Sequence, residues 1–338
     1  MISPLGPTHY GERQVQLGTH QSLGGDGDDE LESVISALYE LDRGGGRFAT
    51  VLRDTLDQLY DGQHTGRWNF HQLHRTEKTH MGTLVEINLH RAFNFDDGDA
   101  TDYRIAGVEV DCKYSMTGQW MLPPEVIGHL ALVVTAVDEQ ASWRAGLVRV
   151  TPERMNRGTN RDVKGTLSAE GRSHIRWLWG GQRQLPPNLF LTLDPTVRQR
   201  IFAAKSKRGS QHGQARVNEL FRSVQRRIVR RAELATVAQQ DDFMKRARGN
   251  GGARDRLRPE GIVVLGHQDN DPLVAEALGL PRPSKGELVS ARVVPGSWHP
   301  QQRYALIEGT SWTLAAPADP VREAPVVPRT QRTTGDTA

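Results

Sequence analysis

The sequence contains one cysteine, Cys112, and no long apolar segment. A lone thiol can form neither a disulfide framework nor a cysteine-based zinc site, so a reducing, cytoplasmic setting is expected. No segment approaches the roughly 18–20 consecutive apolar residues that a membrane span requires. Residues 1–23 also lack the apolar core and the cleavage site of a secretory signal. These absences argue against a membrane partner and against secretion.

Three kinds of catalytic motif are also missing or incomplete. No Gly-x-x-x-x-Gly-Lys-Ser/Thr phosphate loop occurs, which argues against NTP-driven translocation. Residues 59–62 (Leu-Tyr-Asp-Gly) are similar to the Lys-x-Asp-Gly motif of DNA ligases, but leucine replaces the lysine that would form the covalent adenylate. The histidines His64, His71, His74 and His80 lack the glutamate and the third ligand of a zinc hydrolase.

The length and the distribution of charge are informative. A chain of 338 residues with 37% hydrophobic and 25% charged residues is typical of a globular protein, and its length favours two domains. Residues 26–61 contain ten acidic and three basic residues, whereas residues 201–258 contain fifteen basic and five acidic residues. Such a basic block is suited to a phosphate backbone, although a solvated helical surface would give the same pattern.

The first half of the chain predicts a mixed α/β domain over residues 26–178, after a flexible tail over residues 1–25. Apolar spacing predicts helices over residues 30–41, 48–60 and 79–93. Residues 103–114 then predict a hairpin that turns at Ala106-Gly107. The apolar run over residues 130–137 predicts a central strand that is buried on both sides, with residues 143–150 as its neighbour.

The second half predicts a linker over residues 179–187 and an α+β domain over residues 188–315, followed by a flexible tail over residues 316–338. Helices are predicted over residues 215–229, 231–239, 242–248 and 253–258, and strands over residues 262–265 and 288–294. This order is typical of a winged helix-turn-helix. Seven arginines of the basic block are predicted to contact DNA, chiefly its phosphates: Arg226, Arg227, Arg230, Arg231, Arg254, Arg256 and Arg258.

The predicted hairpin carries groups that are suited to phosphodiester hydrolysis. Such hydrolysis needs a hydroxide nucleophile and shielding of charge on the phosphate, and Mg²⁺ held by carboxylates supplies both. Strand alternation places Asp111, Lys113 and Glu109 on one face, while Cys112 points the other way. The pair Asp111 and Lys113 is by itself a weak signal, because an exposed strand pair gives the same pattern more often. Glu109 is interpreted as a structural or supporting residue. Asp102 stands at the entrance of the hairpin.

The order Glu86, Asp102, Asp111, Lys113 resembles the pattern of the PD-(D/E)xK nucleases, with threonine where those nucleases often have proline. Within that superfamily, segments between residues 26 and 330 resemble the NaeI-type (type IIE) restriction endonucleases. The segments are residues 59–66, 76–80, 82–88 and 105–115.

This resemblance implies a restriction-endonuclease-like mixed-sheet core and an Mg²⁺-dependent active site. Glu86, Asp102 and Asp111 would bind the metal, together with the backbone carbonyl of Cys112, and Lys113 would be the catalytic lysine. It also implies a C-terminal helix-turn-helix domain and a homodimer that binds two DNA duplexes, of which one is cleaved and the other activates. A protective DNA methyltransferase is a further expected partner.

The leading hypothesis is therefore a type II site-specific endonuclease that makes double-strand breaks in DNA. Two alternatives remain open at this point. One is a winged-helix regulator, although a pure DNA-binding protein needs no carboxylate–lysine cluster. The other is a repair nuclease of the same superfamily, which would show little sequence specificity. The recognition sequence, the cut position and the number of metal ions are not determined by these patterns.

Overall fold

The computed structural model of the protein describes residues 27–182, 184–207, 212–296 and 303–329. The predicted N-terminal tail, residues 1–25, lies outside the described residues, as do residues 330–338. The described chain forms an N-terminal unit around a six-stranded sheet and a C-terminal unit around a five-stranded sheet. Within those ranges, no helix has the length and apolar character needed to cross a membrane.

Helices open the N-terminal unit: α1 (Asp29–Leu41), α2 (Gly46–Tyr60), α3 (Gly62–Thr65) and α4 (Arg75–Phe93). The three predicted helices are confirmed, but α4 begins one turn earlier than predicted. The Glu77 carboxylate accepts the backbone N–H of His74 at 2.8 Å, and this cap extends the helix in a way that apolar spacing does not reveal. Asp61 ends α2 with a left-handed φ of 48°.

The strands of the N-terminal sheet follow one another in space as they do along the chain: β1 (Asp96–Asp97), β2 (Tyr103–Ile105), β3 (Val108–Tyr114), β4 (Leu130–Val137), β5 (Ser142–Arg149) and β6 (Arg176–Gly181). β3 and β4 are parallel, and the other neighbouring pairs are antiparallel. The predicted hairpin is formed by β2 and β3, and its turn residues Ala106 and Gly107 have φ values of 52° and 80°. A short helix, α5 (Ala169–Ser173), precedes β6.

Both faces of the N-terminal sheet are covered. Val110 and Cys112 face a core that they share with α1, α2 and α4. Ala131 and Val133 face a second cluster, which is completed by side chains of the surrounding loops: Trp120, Leu122, Val126, Leu167 and Ile175. The prediction that residues 130–137 form a strand buried on both sides is therefore confirmed.

The C-terminal unit has seven helices and five strands among the described residues. The helices are α6 (Leu189–Thr192), α7 (Pro195–Ala203), α8 (Gly213–Ser223), α9 (Arg231–Ala238), α10 (Phe243–Ala247), α11 (Ala253–Arg256) and α12 (Asp271–Ala277). The strands are β7 (Ile228–Val229), β8 (Ile262–Leu265), β9 (Leu288–Pro295), β10 (Ala305–Ile307) and β11 (Thr310–Leu314). The sheet order is β10-β11-β9-β7, and β8 also pairs with β9.

The second half of the chain is α+β, as predicted, but several of its elements differ from the prediction. The helix predicted over residues 215–229 ends at Ser223, because Arg226 takes a left-handed φ of 61° and its N–H bonds to the carbonyl of Ser290 at 2.7 Å. The pairing of β8 with β9 was predicted, whereas α12, β10 and β11 were not. The five-stranded sheet is larger than the wing of a winged helix-turn-helix, so that assignment remains a prediction.

The predicted linker and C-terminal tail also differ from the structure. Trp179 and Leu185, which fall in the predicted linker, are buried in the first core. Residues 316–329, which fall in the predicted tail, pack on the C-terminal unit. Ala324 is fully buried, its N–H bonds to the carbonyl of Arg258, and the Arg258 Nε–H bonds to the carbonyl of Ala324 at 3.0 Å. A backbone hydrogen bond and a side-chain hydrogen bond to Arg258 hold this segment, and its Pro- and Thr-rich composition does not predict them.

A buried polar cluster joins the two units, and we call it the junction cluster. Its members are Arg53, Asp57, Tyr60, Asp138, Asn188, Arg230 and Glu233. Arg53 is 1% exposed and donates to Asp138, while it also forms an ion pair with Asp57 at 2.9 Å. The Tyr60 hydroxyl donates to Asp138 at 2.6 Å, and the Asn188 amide donates to the same carboxylate at 2.9 Å.

Arg230 links the junction cluster to the C-terminal unit. Its guanidinium lies 2.9 Å from Asp57 of α2 and 2.8 Å from Glu233 of α9. The backbones also approach closely beside this cluster, since a Cβ at Gly62 would lie 2.0 Å from the Thr236 hydroxyl. The contact between the two units is therefore polar, buried and closely packed.

Candidate active site

The β2–β3 hairpin brings three of the predicted catalytic residues together. The register pairs Tyr103 with Val110, so Asp102 reaches the position beside Asp111. The Asp102 carboxylate accepts the backbone N–H of Cys112 at 2.7 Å. The Lys113 ammonium lies 2.7 Å from the Asp111 carboxylate, 3.1 Å from the Cys112 carbonyl oxygen and 3.4 Å from the Asp102 carboxylate. Oxygen atoms from residues 102, 111 and 112 thus all lie close to the Lys113 ammonium.

Glu86 approaches this cluster from α4. The Tyr103 hydroxyl donates to the Glu86 backbone carbonyl at 2.7 Å, which ties α4 to the start of the hairpin. The half-buried Glu86 side chain has a raised pKa, first because burial removes it from water and then because of the negative charge of Asp102. Asp111 and Lys113 also act on it. Glu86 therefore lies within the electrostatic field of the cluster.

Asp111 is the most buried carboxylate of the cluster, with 4% of its surface exposed. Burial raises its pKa to about 6, although the charge and the hydrogen bond of Lys113 oppose this shift. The Lys113 ammonium lies 2.7 Å from both carboxylate oxygens but donates its hydrogen bond to Oδ1. The buried Oδ2 has no hydrogen-bond partner among the described residues. A buried carboxylate oxygen that accepts no hydrogen bond can coordinate a metal ion beside the Lys113 ammonium.

The donor set suits a hard divalent cation that keeps part of its water shell. In the part of the chain that the structure describes, no three His, Cys, Asp or Glu side chains stand together as a complete metal site. The two aspartates and the Cys112 carbonyl nevertheless provide oxygen donors, and Mg²⁺ usually binds proteins through one or two carboxylates and several waters. The residues present therefore fit a magnesium ion.

Lys113 and Cys112 are held in different surroundings. Burial disfavours the charge of Lys113, but the charge of Asp111 outweighs this effect and the net pKa of Lys113 is raised. The Cys112 thiol is buried in the helical core, as the alternation of the strand predicts. Only the backbone of Cys112 is therefore turned towards the carboxylates.

Two further carboxylates lie near the hairpin: Glu109, which sequence reasoning interpreted as a structural or supporting residue, and Glu125, which it missed. Glu109 accepts the backbone N–H of Asp99 and that of Ala100, and these two hydrogen bonds, the first more than the second, lower its pKa to about 2. Glu125, just before β4, adds negative charge that raises the pKa of Asp111 as one of the smaller causes. Its position follows from the parallel pairing of β3 and β4, which the sequence does not reveal.

Three of the arginines that are predicted to contact DNA are engaged in ion pairs. Arg230 belongs to the junction cluster. Arg254 pairs with Asp271, and Arg258 pairs with Glu323 at 3.0 Å. These guanidinium groups hold the fold together, and a phosphate would have to compete with carboxylates that are already in place.

The other four predicted arginines are exposed at the surface. They are Arg226, Arg227, Arg231 and Arg256. Arg227 donates to the Thr192 hydroxyl at 2.6 Å, and the Arg231 guanidinium lies 4.8 Å from the centre of the Phe243 ring. The exposed position of these side chains leaves them accessible to a DNA backbone.

A basic groove runs beside α8, and we call it the α8 groove. Its basic side chains are Arg200, Lys205, Lys207, Arg222 and Arg256. Arg200 and Arg222 form ion pairs with Glu219, whereas Lys205 and Lys207 are exposed. Sequence reasoning counted both lysines in the basic block but did not single them out. Their spacing of two residues within a run of basic residues was the available signal.

Comparison with known proteins adds independent information. The family described as "Restriction endonuclease NaeI" matches residues 32–323. The Type II restriction enzyme NaeI of Lentzea aerocolonigenes is 63% identical over 303 residues, which cover 89% of this chain and 95% of that protein. The matched region spans both units, and it includes the hairpin, α4 and the α8 groove.

Proposed function

Since the chain belongs to the NaeI family of restriction endonucleases and is a type II site-specific deoxyribonuclease, we propose that it makes Mg²⁺-dependent double-strand breaks at the hairpin cluster. The observation that carries this proposal is the convergence of the Asp102, Asp111 and Cys112 oxygens beside the Lys113 ammonium. This is the arrangement that the PD-(D/E)xK pattern implies. The proposal assigns metal binding to Glu86, Asp102, Asp111 and the Cys112 carbonyl.

Each residue of the cluster has a distinct part in the proposed reaction. A bound Mg²⁺ would lower the pKa of a coordinated water and neutralise charge on the scissile phosphate. Asp111 offers its Oδ2, which accepts no hydrogen bond from the described residues, and Asp102 is oriented by the Cys112 N–H. Lys113, held by Asp111, would stabilise negative charge on the phosphate or help to activate the water.

Cleavage of a defined plasmid tests this proposal. The purified protein with Mg²⁺ should convert the plasmid into discrete linear fragments, and EDTA should stop the reaction because the carboxylates alone cannot activate water. Mapping the fragment ends would give the recognition sequence. A smear of products, or cleavage that is indifferent to EDTA, would contradict the proposal.

The C-terminal unit is proposed to bind a second DNA duplex that activates cleavage, with the protein acting as a homodimer. The exposed lysines of the α8 groove and the exposed arginines Arg226, Arg227, Arg231 and Arg256 support a phosphate-binding role for this unit. Arg230, Arg254 and Arg258 were also predicted to contact DNA, but their ion pairs favour the exposed residues.

A stimulation experiment tests the activating site. A short duplex that carries the recognition sequence should accelerate cutting of a poorly cleaved, single-site plasmid. The double variant Lys205→Ala/Lys207→Ala should lose most of this stimulation, because it removes two phosphate contacts. Its DNA binding should depend less on salt, with a log–log slope that is smaller by about 0.9 for each contact removed.

The double variant Arg282→Ala/Lys285→Ala provides the control, because it removes the same charge from residues that do not line the α8 groove. It should keep the stimulation. If the added duplex only competes with the plasmid and never stimulates, the proposal of a second site is wrong.

Family membership also decides between the alternatives. A type II restriction enzyme is neither a pure DNA-binding regulator nor a repair nuclease with little sequence specificity. A restriction enzyme endangers the genome of its own cell. We therefore propose a cytoplasmic role beside a DNA methyltransferase that modifies the same sequence.

A further inference from the structure

The loop that leads into Asp102 is organised around one carboxylate, that of Glu109. This side chain accepts the backbone N–H groups of Asp99, Ala100 and Thr101, each at 3.0 Å, and the Thr101 hydroxyl at 3.0 Å. Arg104 donates to the same carboxylate at 3.0 Å from its outer side. Three consecutive backbone N–H groups are thus fixed by a single side chain of β3.

The loop is closely packed around this carboxylate. A Cβ at Gly98 would lie 2.3 Å from the Thr101 carbonyl oxygen and 2.9 Å from a Glu109 carboxylate oxygen. Since backbone atoms cannot move aside cheaply, a side chain at residue 98 would push the loop off its present path. The path that it takes is therefore set jointly by residues 98–101 and by Glu109.

The fixed loop ends at Asp102. Thr101 is covalently joined to Asp102, whose carboxylate accepts the Cys112 N–H at 2.7 Å and lies 3.4 Å from the Lys113 ammonium. Glu109 and Asp111 project from the same face of β3. One strand therefore carries Asp111 itself and also the side chain that fixes the backbone before Asp102.

We propose that Glu109 is a positioning residue for Asp102: it holds the backbone of residues 99–101 so that the Asp102 carboxylate meets Asp111 at the correct place for a divalent cation. This inference rests on the proposed metal-dependent function. The loop donors and Arg104 occupy the Glu109 carboxylate, so no direct part in metal binding is assigned to it. Its effect should therefore be on metal affinity, with little effect on the reaction once metal is bound.

Glu109→Gln tests the inference with little change in size. In either orientation, the amide replaces one accepting oxygen by an NH₂ group, which would face backbone N–H donors and loosen the loop. We expect Mn²⁺ to bind about tenfold more weakly, because loss of a residue that orients a ligand typically costs about 10–100-fold in metal affinity. Mn²⁺ binding followed by electron paramagnetic resonance measures this without cleavage. The Mg²⁺ concentration for half-maximal cleavage should rise, while kcat at saturating Mg²⁺ should stay within about threefold of the wild-type value.

Arg104→Gln is the matched control. It removes the ion pairs with Glu109 and Asp99 but leaves the three backbone N–H bonds to Glu109. Mn²⁺ affinity should therefore remain near that of the wild-type protein. Equal losses of affinity in both variants would overturn the inference, because they would point to charge near the site and not to the loop.

Asp102→Asn separates this inference from the function on which it rests. If Asp102→Asn weakens Mn²⁺ binding and Glu109→Gln does not, the positioning role of Glu109 is wrong and the metal site stands. If neither variant changes Mn²⁺ binding, both the metal site and the inference fail. Should Glu109→Gln not fold, Glu109→Asp, which keeps both oxygens but draws them back by one methylene, should show the same loss of affinity.

Discussion

Replacement of Asp111 by asparagine should reduce DNA cleavage by up to about a thousandfold, since losing one group that stabilises charge in the transition state typically costs about 10²–10³-fold. Asp111 combines several features in one carboxylate. It is buried, it holds the Lys113 ammonium at 2.7 Å, and its Oδ2 accepts no hydrogen bond from the described residues. Asparagine would keep the shape but lose the charge that attracts a metal ion.

Lys113→Ala should reduce cleavage by a similar factor, with a different effect on metal binding. It removes the ammonium but leaves the oxygens of Asp102, Asp111 and Cys112, so Mn²⁺ should still bind. Asp111→Asn should weaken Mn²⁺ binding. A thousandfold loss corresponds to about 4 kcal/mol of activation free energy, at about 1.36 kcal/mol for each factor of ten.

Single-turnover cleavage of a plasmid measures both effects, and a gel-shift assay measures DNA binding. Binding should survive both changes, because phosphate and groove contacts dominate affinity. Asp96→Asn, at an exposed position on β1, is the control and should cleave normally. Cleavage near the wild-type rate by Asp111→Asn or Lys113→Ala would disprove the assignment of the active site.

The second large effect is expected at the junction cluster, where Asp138→Ala should lower the free energy of unfolding by about 3–5 kcal/mol, the usual cost of breaking a buried ion pair. Asp138 accepts hydrogen bonds from Arg53, Tyr60 and Asn188. Its removal would leave the 1% exposed Arg53 guanidinium with Asp57 as its remaining carboxylate partner. The buried Tyr60 hydroxyl would lose its acceptor, and the Asn188 amide would keep the Trp68 carbonyl but lose the carboxylate.

The double variant Arg53→Met/Asp138→Ala should be less destabilised than the sum of its two single variants, because no unpaired charge remains. Urea denaturation gives all of these values. Glu32→Ala, which removes a half-exposed partner of Arg176, serves as the surface control and should cost less than about 1 kcal/mol. The role given to the junction cluster is wrong if Asp138→Ala costs no more than Glu32→Ala.

The hairpin was predictable because its signals are local. Alternation over residues 108–114 places Asp111 and Lys113 on one face whatever the rest of the chain does, and the structure places Cys112 in the core as expected. Glu86, in contrast, is separated from Asp102 by the end of α4 and by β1. Its approach depends on how α4 packs, and the family resemblance identified it, whereas periodicity did not.

The misjudged features depend on partners that are distant in sequence. Arg230 lies in a basic run that is typical of a DNA-binding surface, but its carboxylate partner Asp57 is 173 residues away. Ala324 lies in a segment whose composition is typical of a loose tail, yet its N–H bonds to the Arg258 carbonyl and its carbonyl accepts the Arg258 Nε–H. Composition describes only the neighbours of a residue along the chain. The positions of Arg230 and Ala324 are instead determined by residues that are close in the fold but distant in sequence.

The junction cluster has a consequence for the exchange of DNA-binding halves between related enzymes. Asp57 and Asp138 come from one half of the chain, whereas Asn188, Arg230 and Glu233 come from the other. In a chimaera, the C-terminal half must therefore supply a guanidinium and an amide at positions that match Asp57 in α2 and Asp138 after β4. A chimaera of two relatives should therefore fold stably only when both halves carry matching members of the junction cluster. The two halves are expected to be inherited as one unit.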